Sequence, residues 1–191
     1  MKIFTLSFLC TLACCIGLAQ PALVKKSLLQ QQVEIVVPTT FRVLPASRFT
    51  DFYRQTIQPV VVFSDGLEQV RLAVFYTQLA MDDNGIPAYT DELLKELRKN
   101  KKGFSLKDDG ILLKDGKNIG YIKCVYKEQG QKRFGYFFYT SLNNQLLLFQ
   151  FDCQRKSQEN WEGTAANMAS TLVINPNNEP QPVTAYNAQN Y

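Results

Sequence analysis

Few residues of this 191-residue chain are of the types that catalyse hydrolysis. It contains no histidine, which is the commonest general base and a member of the Ser-His-Asp and Cys-His nucleophilic systems. The most conspicuous acidic pairs are Asp82-Asp83, Asp91-Glu92 and Asp108-Asp109. We expect these pairs in turns or at a helix start, whereas the two catalytic carboxyls of a glycosidase face each other across a cleft. The sequence therefore predicts a protein that is not an enzyme.

Metal and cofactor sites are disfavoured by the same composition. Without histidine, Cys124 and Cys153 cannot complete a four-ligand zinc site unless carboxylates join them. Residues 82–87 read Asp-Asp-Asn-Gly-Ile-Pro, and this consecutive acidic run lacks the alternating spacing of a calcium-binding EF-hand loop. It is typical of a tight turn. Neither of the Gly-rich phosphate-binding patterns, GxGxxG and GxxxxGK, occurs in the sequence. We therefore expect no cofactor and no metal ion.

The charge of the chain does not indicate a nucleic-acid partner. The formal net charge is only +4, and the one dense basic run, residues 98–102, falls where a helix is predicted to end. Cations there interact favourably with the negative end of the helix dipole. We therefore interpret the basic run as a helix terminus and expect no nucleic acid as partner.

The N-terminal segment has the pattern of a secretory signal peptide. Lys2 precedes an apolar run over residues 3–16, and the small residues Gly17 and Ala19 suit cleavage before Gln20. The apolar run is shorter than the roughly 20 residues that a spanning helix needs. Residues 1–19 are therefore predicted to be a signal peptide, and the protein is predicted to be periplasmic or secreted.

A lipoprotein attached to the membrane is the alternative location. Residues 11–14 and 12–15 both approach the Leu-small-small-Cys pattern of lipoprotein processing, which would make Cys14 or Cys15 the lipidated residue. Thr11 replaces the usual aliphatic residue in the first match, and Cys14 replaces the usual Gly or Ala in the second. Because cysteine also serves as an ordinary apolar residue, we favour the signal peptide without lipidation.

Helix and strand signals alternate over residues 20–174, which are predicted to form a single domain, whereas the polar, Asn- and Pro-rich residues 175–191 are predicted to be a disordered tail. One helix is predicted from Thr90 to Gly103 and a second from Ser157 onward, with one apolar stripe that includes Trp161. Strands are predicted at 33–37, 41–44, 60–63, 68–79, 118–127, 133–142 and 145–154. The predicted fold class is α+β, an antiparallel β-sheet meander sandwiched by α-helices.

The last three strands predict their own pairing. A two-residue turn at Asn143-Asn144 pairs Phe138 with Phe149, and a turn centred on Gly130 pairs Cys124 with Tyr136. One face of the meander then collects an uncharged set that we predict to be core: Ile122, Cys124, Tyr126, Phe134, Tyr136, Phe138, Leu147, Phe149, Phe151 and Cys153.

The opposite face of the predicted meander mixes aromatic and basic residues. Large exposed apolar patches usually mark interaction sites, so Tyr121, Lys123, Phe137 and Tyr139 are candidates for binding a partner protein. Partial cover of this face by a helix or loop is the alternative.

The predicted register also bears on the two cysteines of the domain. Cys124 and Cys153 would share a face but lie on the first and third strands, about 9.6 Å apart at the usual strand spacing. A disulfide needs Cα atoms within about 7 Å. We therefore predict two free, buried thiols.

The order of elements resembles the PsbP-like superfamily, which includes the extrinsic photosystem II protein P and the import factor that binds the GTPase Ran. The resemblance is carried by residues 33–41 (VEIVVPTTF), the aromatic strands between Phe134 and Phe151, and Trp161 with residues 170–174 (STLVI). It implies an antiparallel sheet sandwiched by helices that serves as a binding or assembly module and not as an enzyme. No binding residue of that superfamily matches a position of this sequence.

These observations lead to two function hypotheses. The first is an exported, non-enzymatic accessory protein that binds or helps assemble a partner protein complex in the cell envelope. The alternative is a periplasmic carrier of a small ligand or lipid, held in the space between sheet and helix. Contact with the membrane is expected only through lipidation at Cys14 or Cys15.

Overall fold

The computed structural model describes residues 21–53 and 57–175. Its elements, in chain order, are β1 (Leu23–Leu28), β2 (Val33–Pro38), β3 (Arg42–Val43), α1 (Phe49–Phe52), β4 (Val61–Ser64), β5 (Arg71–Ala80), α2 (Ile86–Asn100), β6 (Ser105–Lys114), β7 (Lys117–Glu128), β8 (Gln131–Leu142), β9 (Gln145–Gln154), α3 (Gln158–Ser170) and β10 (Val173–Ile174). The predicted signal peptide, residues 1–19, and residues 176–191 of the predicted tail lie outside the described residues.

A seven-stranded sheet in the order β3-β4-β5-β9-β8-β7-β6 forms the centre of the domain. All of its neighbouring strands are antiparallel, and β6 to β9 follow one another as a meander. A second antiparallel sheet has the order β1-β2-β10. The predicted α+β class, with an antiparallel sheet between helices, is confirmed.

One face of the large sheet, called here the α3 face, is covered by α3 and the small sheet. Its core contains four phenylalanines of β8 and β9, and the rings of Phe138 and Phe149 stack with centroids 4.7 Å apart. Ala165 and Met168 of α3 pack into this core together with Ile35 of β2. Burial of these apolar side chains is the main favourable contribution to folding.

The other face, the α2 face, has two separate covers. Leu94 and Leu97 of α2 pack on a cluster that includes Ile122. Phe49 of α1 and Tyr53 just after it pack on β4 and β5 at the other end of the face. A groove remains between the two covers.

The turns explain where the predicted register is right and where it is wrong. Asn143 and Asn144 both have positive φ, 52° and 57°, and the predicted pairing of Phe138 with Phe149 is confirmed. The turn between β7 and β8 consists of Gln129 and Gly130, with φ of 48° and 81°. We predicted a turn centred on Gly130, whereas the observed turn has two residues. The difference arises because Gln129 adopts the left-handed conformation that is usual for glycine.

This difference shifts the pairing of β7 by one residue, so that Cys124 lies opposite Gly135 and not opposite Tyr136. Since side chains alternate between the faces of a sheet, a shift of one residue moves a whole strand's set to the other face. Ile122, Cys124 and Tyr126 consequently belong to the core of the α2 face. The predicted membership of these three residues in the same core as Phe138 is wrong.

Cys124 and Cys153 are nevertheless both free and buried, as predicted. The reason is different from the predicted one. Cys124 packs in the cluster of the α2 face and Cys153 in the cluster of the α3 face, so the sheet itself separates the two thiols.

The helix α2 begins four residues before the predicted cap at Thr90. Pro87 lies in its first turn, where the fixed φ of proline suits a helix and its missing N–H is not needed. In the preceding turn, Asp82 accepts a hydrogen bond from the backbone N–H of Gly85 at 2.7 Å, which confirms the turn chemistry predicted for the acidic segment. Thr90 is buried inside the helix, so its predicted role as cap is wrong.

Three strands were not predicted, β1, β6 and β10. The pair Asp108-Asp109, expected in a turn, lies in β6, and Asp91-Glu92 lies inside α2. β6 is an edge strand with β7 as its neighbour. Its sequence, SLKDDGILLK, does not alternate regularly between apolar and polar residues, which is the pattern that identifies a half-buried strand.

None of the helices in residues 21–53 and 57–175 has the length and apolar character that crossing a bilayer requires.

Candidate functional site

The structure does not bring the four predicted partner-binding residues together. Phe137 and Tyr139 are 3% and 0% exposed and pack in the cluster beneath α2. Tyr121 and Lys123 are half-buried and, because of the shifted register, lie on the α3 face. The alternative of cover by a helix is therefore correct for the aromatic pair.

Tyr121 and Lys123 take part in contacts within the domain. The ring of Tyr121 stacks on that of Tyr136 with centroids 5.9 Å apart. The ammonium group of Lys123 lies 3.0 Å from Asp108 Oδ2 and 3.7 Å from Glu162 Oε1. Partner binding through these two residues stays a prediction.

A groove on the α2 face runs between its two covers. Its floor is formed by β5, β8 and β9, one wall by α2, and the other wall by Phe52, Tyr53 and Ile57 in and after α1. The two covers form these walls because each buries an apolar stripe of its own against the sheet. The groove has an apolar half and a polar half.

The apolar half has a volume of about 390 Å³, within the range typical of small-molecule pockets. Its floor includes Phe75 and Leu148, and its α2 wall includes Leu93 and Leu97. Leu79, which is 48% exposed, lies at its rim. Apolar side chains thus face an accessible space between sheet and helix, which is where the carrier hypothesis places its ligand.

The polar half has a volume of about 270 Å³ and lies next to a cluster of buried charges. Asp152 is fully buried, and its Oδ1 accepts hydrogen bonds from Nη2 of Arg71 at 2.7 Å and from Nη2 of Arg133. Arg71 also donates to Glu128 Oε2 at 3.0 Å. Buried charges of this kind need each other, since an unpaired charge in the interior is costly.

Aromatic rings complete the surroundings of the charge cluster. The guanidinium of Arg71 lies 4.3 Å from the centre of the Phe52 ring, within the range of a cation–π interaction. Burial opposes the charge of Arg71, but the acidic groups around it, Asp152 first among them and then Glu128, together outweigh burial and raise the pKa of the guanidinium. Burial and then Asp152 raise the pKa of Tyr53, so this hydroxyl stays neutral. Among residues 21–53 and 57–175, the buried Tyr53 hydroxyl has no hydrogen-bond partner.

Lys101 and Gln150 line both halves of the groove. Lys101 directly follows α2 as its C-cap, and its ammonium group lies 4.6 Å from the centre of the Tyr126 ring. Gln150 points from β9 into the groove floor and is 4% exposed. The two residues therefore mark the junction between the apolar and polar halves.

In the part of the chain that the structure describes, neither a metal-ligating cluster nor a cysteine lines the groove. No group of three or more metal-ligating side chains occurs in the described part of the chain. Burial raises the pKa of Cys124 and of Cys153 to about 12, and a protonated thiol is not a nucleophile.

The groove residues were not predicted from the sequence, for identifiable reasons. We interpreted Lys101, within the basic run 98–102, as a helix-end cation, which is correct but incomplete, and assigned no role to Gln150. Arg71 lies in the predicted strand 68–79 and is not a predicted site residue. A charged residue at the start of an apolar strand is the one signal that would have indicated a buried ion pair.

The comparisons with known proteins agree with this fold. No family model and no curated protein matches the sequence. Among solved structures, cyanobacterial PsbP from Synechocystis sp. PCC 6803 superposes with a TM-score of 0.58 at 13% identity, covering 85% of this chain and 98% of that one. The chain thus has the PsbP-like fold that its sequence resembles.

Two further solved structures match less closely. PA94 from Pseudomonas aeruginosa, a protein of unknown function, has a TM-score of 0.47 at 13% identity and covers 81% of this chain and 98% of its own. LpqN from Mycobacterium tuberculosis, involved in cell envelope biogenesis, has a TM-score of 0.46 at 16% identity, with 75% and 83% covered.

Proposed function

We propose that this chain is a non-enzymatic binding protein of the cell envelope that holds an elongated, mainly apolar ligand in the groove between α2 and the sheet. The observation that carries the proposal is the apolar half of the groove, about 390 Å³ lined by Phe75, Leu93 and Leu148. Pockets of this kind are mostly apolar, with a few polar groups that orient the ligand. The polar groups that line this half are Thr77, Glu96, Asn100, Lys101 and Gln150.

The proposed location in the cell envelope and the proposed lack of catalytic activity are supported by the sequence and by the burial of the two thiols. A signal peptide over residues 1–19 supports export to the envelope. The chain has no histidine to act as a general base, and its two buried thiols are protonated at physiological pH. These features favour binding over turnover.

Binding of an uncharged fluorescent probe tests the proposal. The purified protein is titrated with N-phenyl-1-naphthylamine, whose emission rises in an apolar site. Leu148→Trp places a larger side chain in the floor of the groove, and we expect it to weaken binding about tenfold or more. Leu113→Trp is the matched control, because Leu113 is 75% exposed on β6, away from the groove.

Three outcomes would contradict the groove as the binding site. They are no saturable binding to the unmodified protein, equal binding to Leu148→Trp, and an equal loss in the Leu113→Trp control. Thermal unfolding of both variants verifies that they are folded.

A partner protein bound at the edge strand β6 is a second candidate. β6 is ten residues long, and its residues Ile111 and Leu113 are 38% and 75% exposed. The outer edge of such a strand is able to accept a further strand from another chain. Affinity capture from envelope extracts compares the unmodified protein with an Ile111→Lys, Leu113→Lys variant and with Leu67→Lys, which changes an equally exposed leucine elsewhere. Equal recovery of a partner by all three would exclude β6.

A further inference from the structure

The outer edge of β6 is open to a further strand. β6 is the last strand of the large sheet, and among residues 21–53 and 57–175 only β7 pairs with it. A β-bulge between Leu106 and Asp108 interrupts this pairing and bends the strand. The seven residues 108–114 beyond the bulge form a regular segment. Its outer backbone N–H and C=O groups have no partner strand in the described part of the chain.

This segment is complementary to itself. Its centre is Ile111, so two copies overlap fully when both place Ile111 on a two-fold axis. In this antiparallel register Ile111 faces Ile111 of the second copy, and Asp108 faces Lys114 at each end. Directly opposite residues of antiparallel strands share a face, so an axis perpendicular to the sheet brings the α2 faces of both copies to the same side.

The charges at the two ends favour this register. Lys114 lies opposite Lys117 of β7, and like charges directly opposite destabilise a strand pair. Neither lysine takes part in the lysine ion pairs of the described residues. The carboxylate of Asp108 is 46% exposed and lies 3.0 Å from the ammonium group of Lys123. In the paired arrangement it lies between Lys123 and Lys114 of the second copy, so each Lys114 gains an anion.

Neighbouring registers lose this match. Moving the axis by one residue toward the bulge places Lys114 opposite Leu106 of the second copy. Moving it by one residue the other way places Asp109 opposite Asp115. Neither arrangement pairs Lys114 with an acidic residue, so the charges select the register that is centred on Ile111.

The same register covers the exposed apolar residues of β6. Ile111 and Leu113 are 38% and 75% exposed and lie opposite Gly120 and Asn118 of β7, on one face of the strand. In the pair, the two Ile111 side chains face each other. Leu113 is then the diagonal neighbour of Ile111 of the second copy, within reach of an apolar contact.

We infer that the partner of β6 is a second copy of this chain, which forms a two-fold symmetric dimer with one continuous antiparallel sheet. This inference rests on the second candidate of the proposed function, a partner bound at β6, and specifies that partner. It does not depend on the groove. A contact of seven residues per chain is smaller than a standard protein interface, so the dimer is weak and depends on concentration.

Cysteine cross-linking tests the register. Ile111→Cys places the introduced thiols on directly opposite residues, whose Cα atoms are about 4.5–5.5 Å apart, within the range of a disulfide. Leu113→Cys is the matched control, because the two copies of residue 113 are offset by roughly 13 Å along the strands. Leu113 is the more exposed of the two residues, so random collision favours the control.

Under mild oxidation we expect at least about tenfold more covalent dimer from Ile111→Cys than from Leu113→Cys. The unmodified chain, oxidised in parallel, gives the background from the native cysteines. Equal cross-linking of the two variants, or more cross-linking of Leu113→Cys, would overturn the inference.

A charge reversal tests the two ends of the contact. Lys114→Glu, combined with Ile111→Cys, places a glutamate opposite Asp108 at both ends, and we expect it to lower the yield of covalent dimer about tenfold. Lys132→Glu makes the same change at an exposed position of β8, outside the contact, and should leave the yield unchanged. An unchanged yield in Lys114→Glu would contradict the charge match.

Sedimentation equilibrium of the unmodified protein measures the dimer without any variant. We expect the average mass to rise with concentration from that of one chain toward that of two, and a constant monomer mass would overturn the inference. If the chain stays monomeric but captures another protein that the Ile111→Lys, Leu113→Lys variant does not capture, the second candidate stands and the dimer is wrong. If no probe binds in the groove, the groove proposal fails and the dimer is unaffected.

Discussion

Replacing Asp152 by asparagine tests the buried charge cluster next to the groove. The carboxylate is completely buried and accepts hydrogen bonds from Arg71 and Arg133, which are 3% and 7% exposed. Asparagine has nearly the same shape but no charge. The variant leaves two buried guanidinium groups with Glu128, which is partly exposed, as their remaining anion.

The expected loss is large. Removing one partner of a buried ion pair costs about 3–5 kcal/mol, because the other charge is left uncompensated. A domain of this size has a total stability of about 5–15 kcal/mol, so the loss is a considerable part of it. The matched control is Glu34→Gln, which removes an acceptor from a pair with Lys25 whose side chain is 66% exposed. A surface pair of this kind contributes only about 0–1 kcal/mol.

Urea denaturation followed by tryptophan fluorescence measures both losses. Trp161 is the single tryptophan and packs 5.7 Å from the ring centre of Phe41, so its emission reports on the core of the α3 face. With a urea dependence of about 2 kcal/mol per M, Asp152→Asn should lower the midpoint by about 1.5–2.5 M. A loss below about 1 kcal/mol, or one equal to that of Glu34→Gln, would refute the reasoning.

Two further predictions concern packing and pH. Gly120→Ala would place a methyl group directly against Cε2 of the Tyr139 ring, too close for non-bonded atoms. We expect the variant to lose about 1–3 kcal/mol of stability, measured as a lower midpoint of thermal unfolding. Gly66→Ala is the control and should have little effect, because the space around Gly66 is open. The raised pKa values of Cys124 and Cys153, about 12 against an ordinary 9.0, mean that above pH 9 the unfolded chain loses thiol protons that the folded chain keeps. Stability measured in urea should therefore fall as pH rises from 9 toward 12, and a constant midpoint over that window would contradict thiol burial.

Local patterns in the sequence predicted most of the elements. The alternation in 133–142 and 145–154 identifies β8 and β9, and the Asn143-Asn144 turn determines their pairing because asparagine tolerates the left-handed backbone that a two-residue turn requires. The apolar stripe of α3 is equally local. Information of this kind lies within ten or twenty residues of the element that it specifies.

The register of β7 shows the limit of such patterns. Gln129 and Gly130 form the turn, and nothing in the local sequence distinguishes this from a turn centred on Gly130. The choice depends on which core accepts Ile122, Cys124 and Tyr126, and that depends on α2, which is distant in the chain. An error of one residue was enough to exchange the two faces of β7.

The sequence by itself determined the α+β class, the meander and the absence of histidine chemistry, because composition and side-chain periodicity are properties of the chain. Only the tertiary structure decided that Phe137 and Tyr139 are covered, that Arg71 and Asp152 meet across two strands, and that a groove remains between α1 and α2. The physical reason is that burial and charge pairing belong to contacts between distant segments, and these exist only once the two helices have packed on the same face of the sheet.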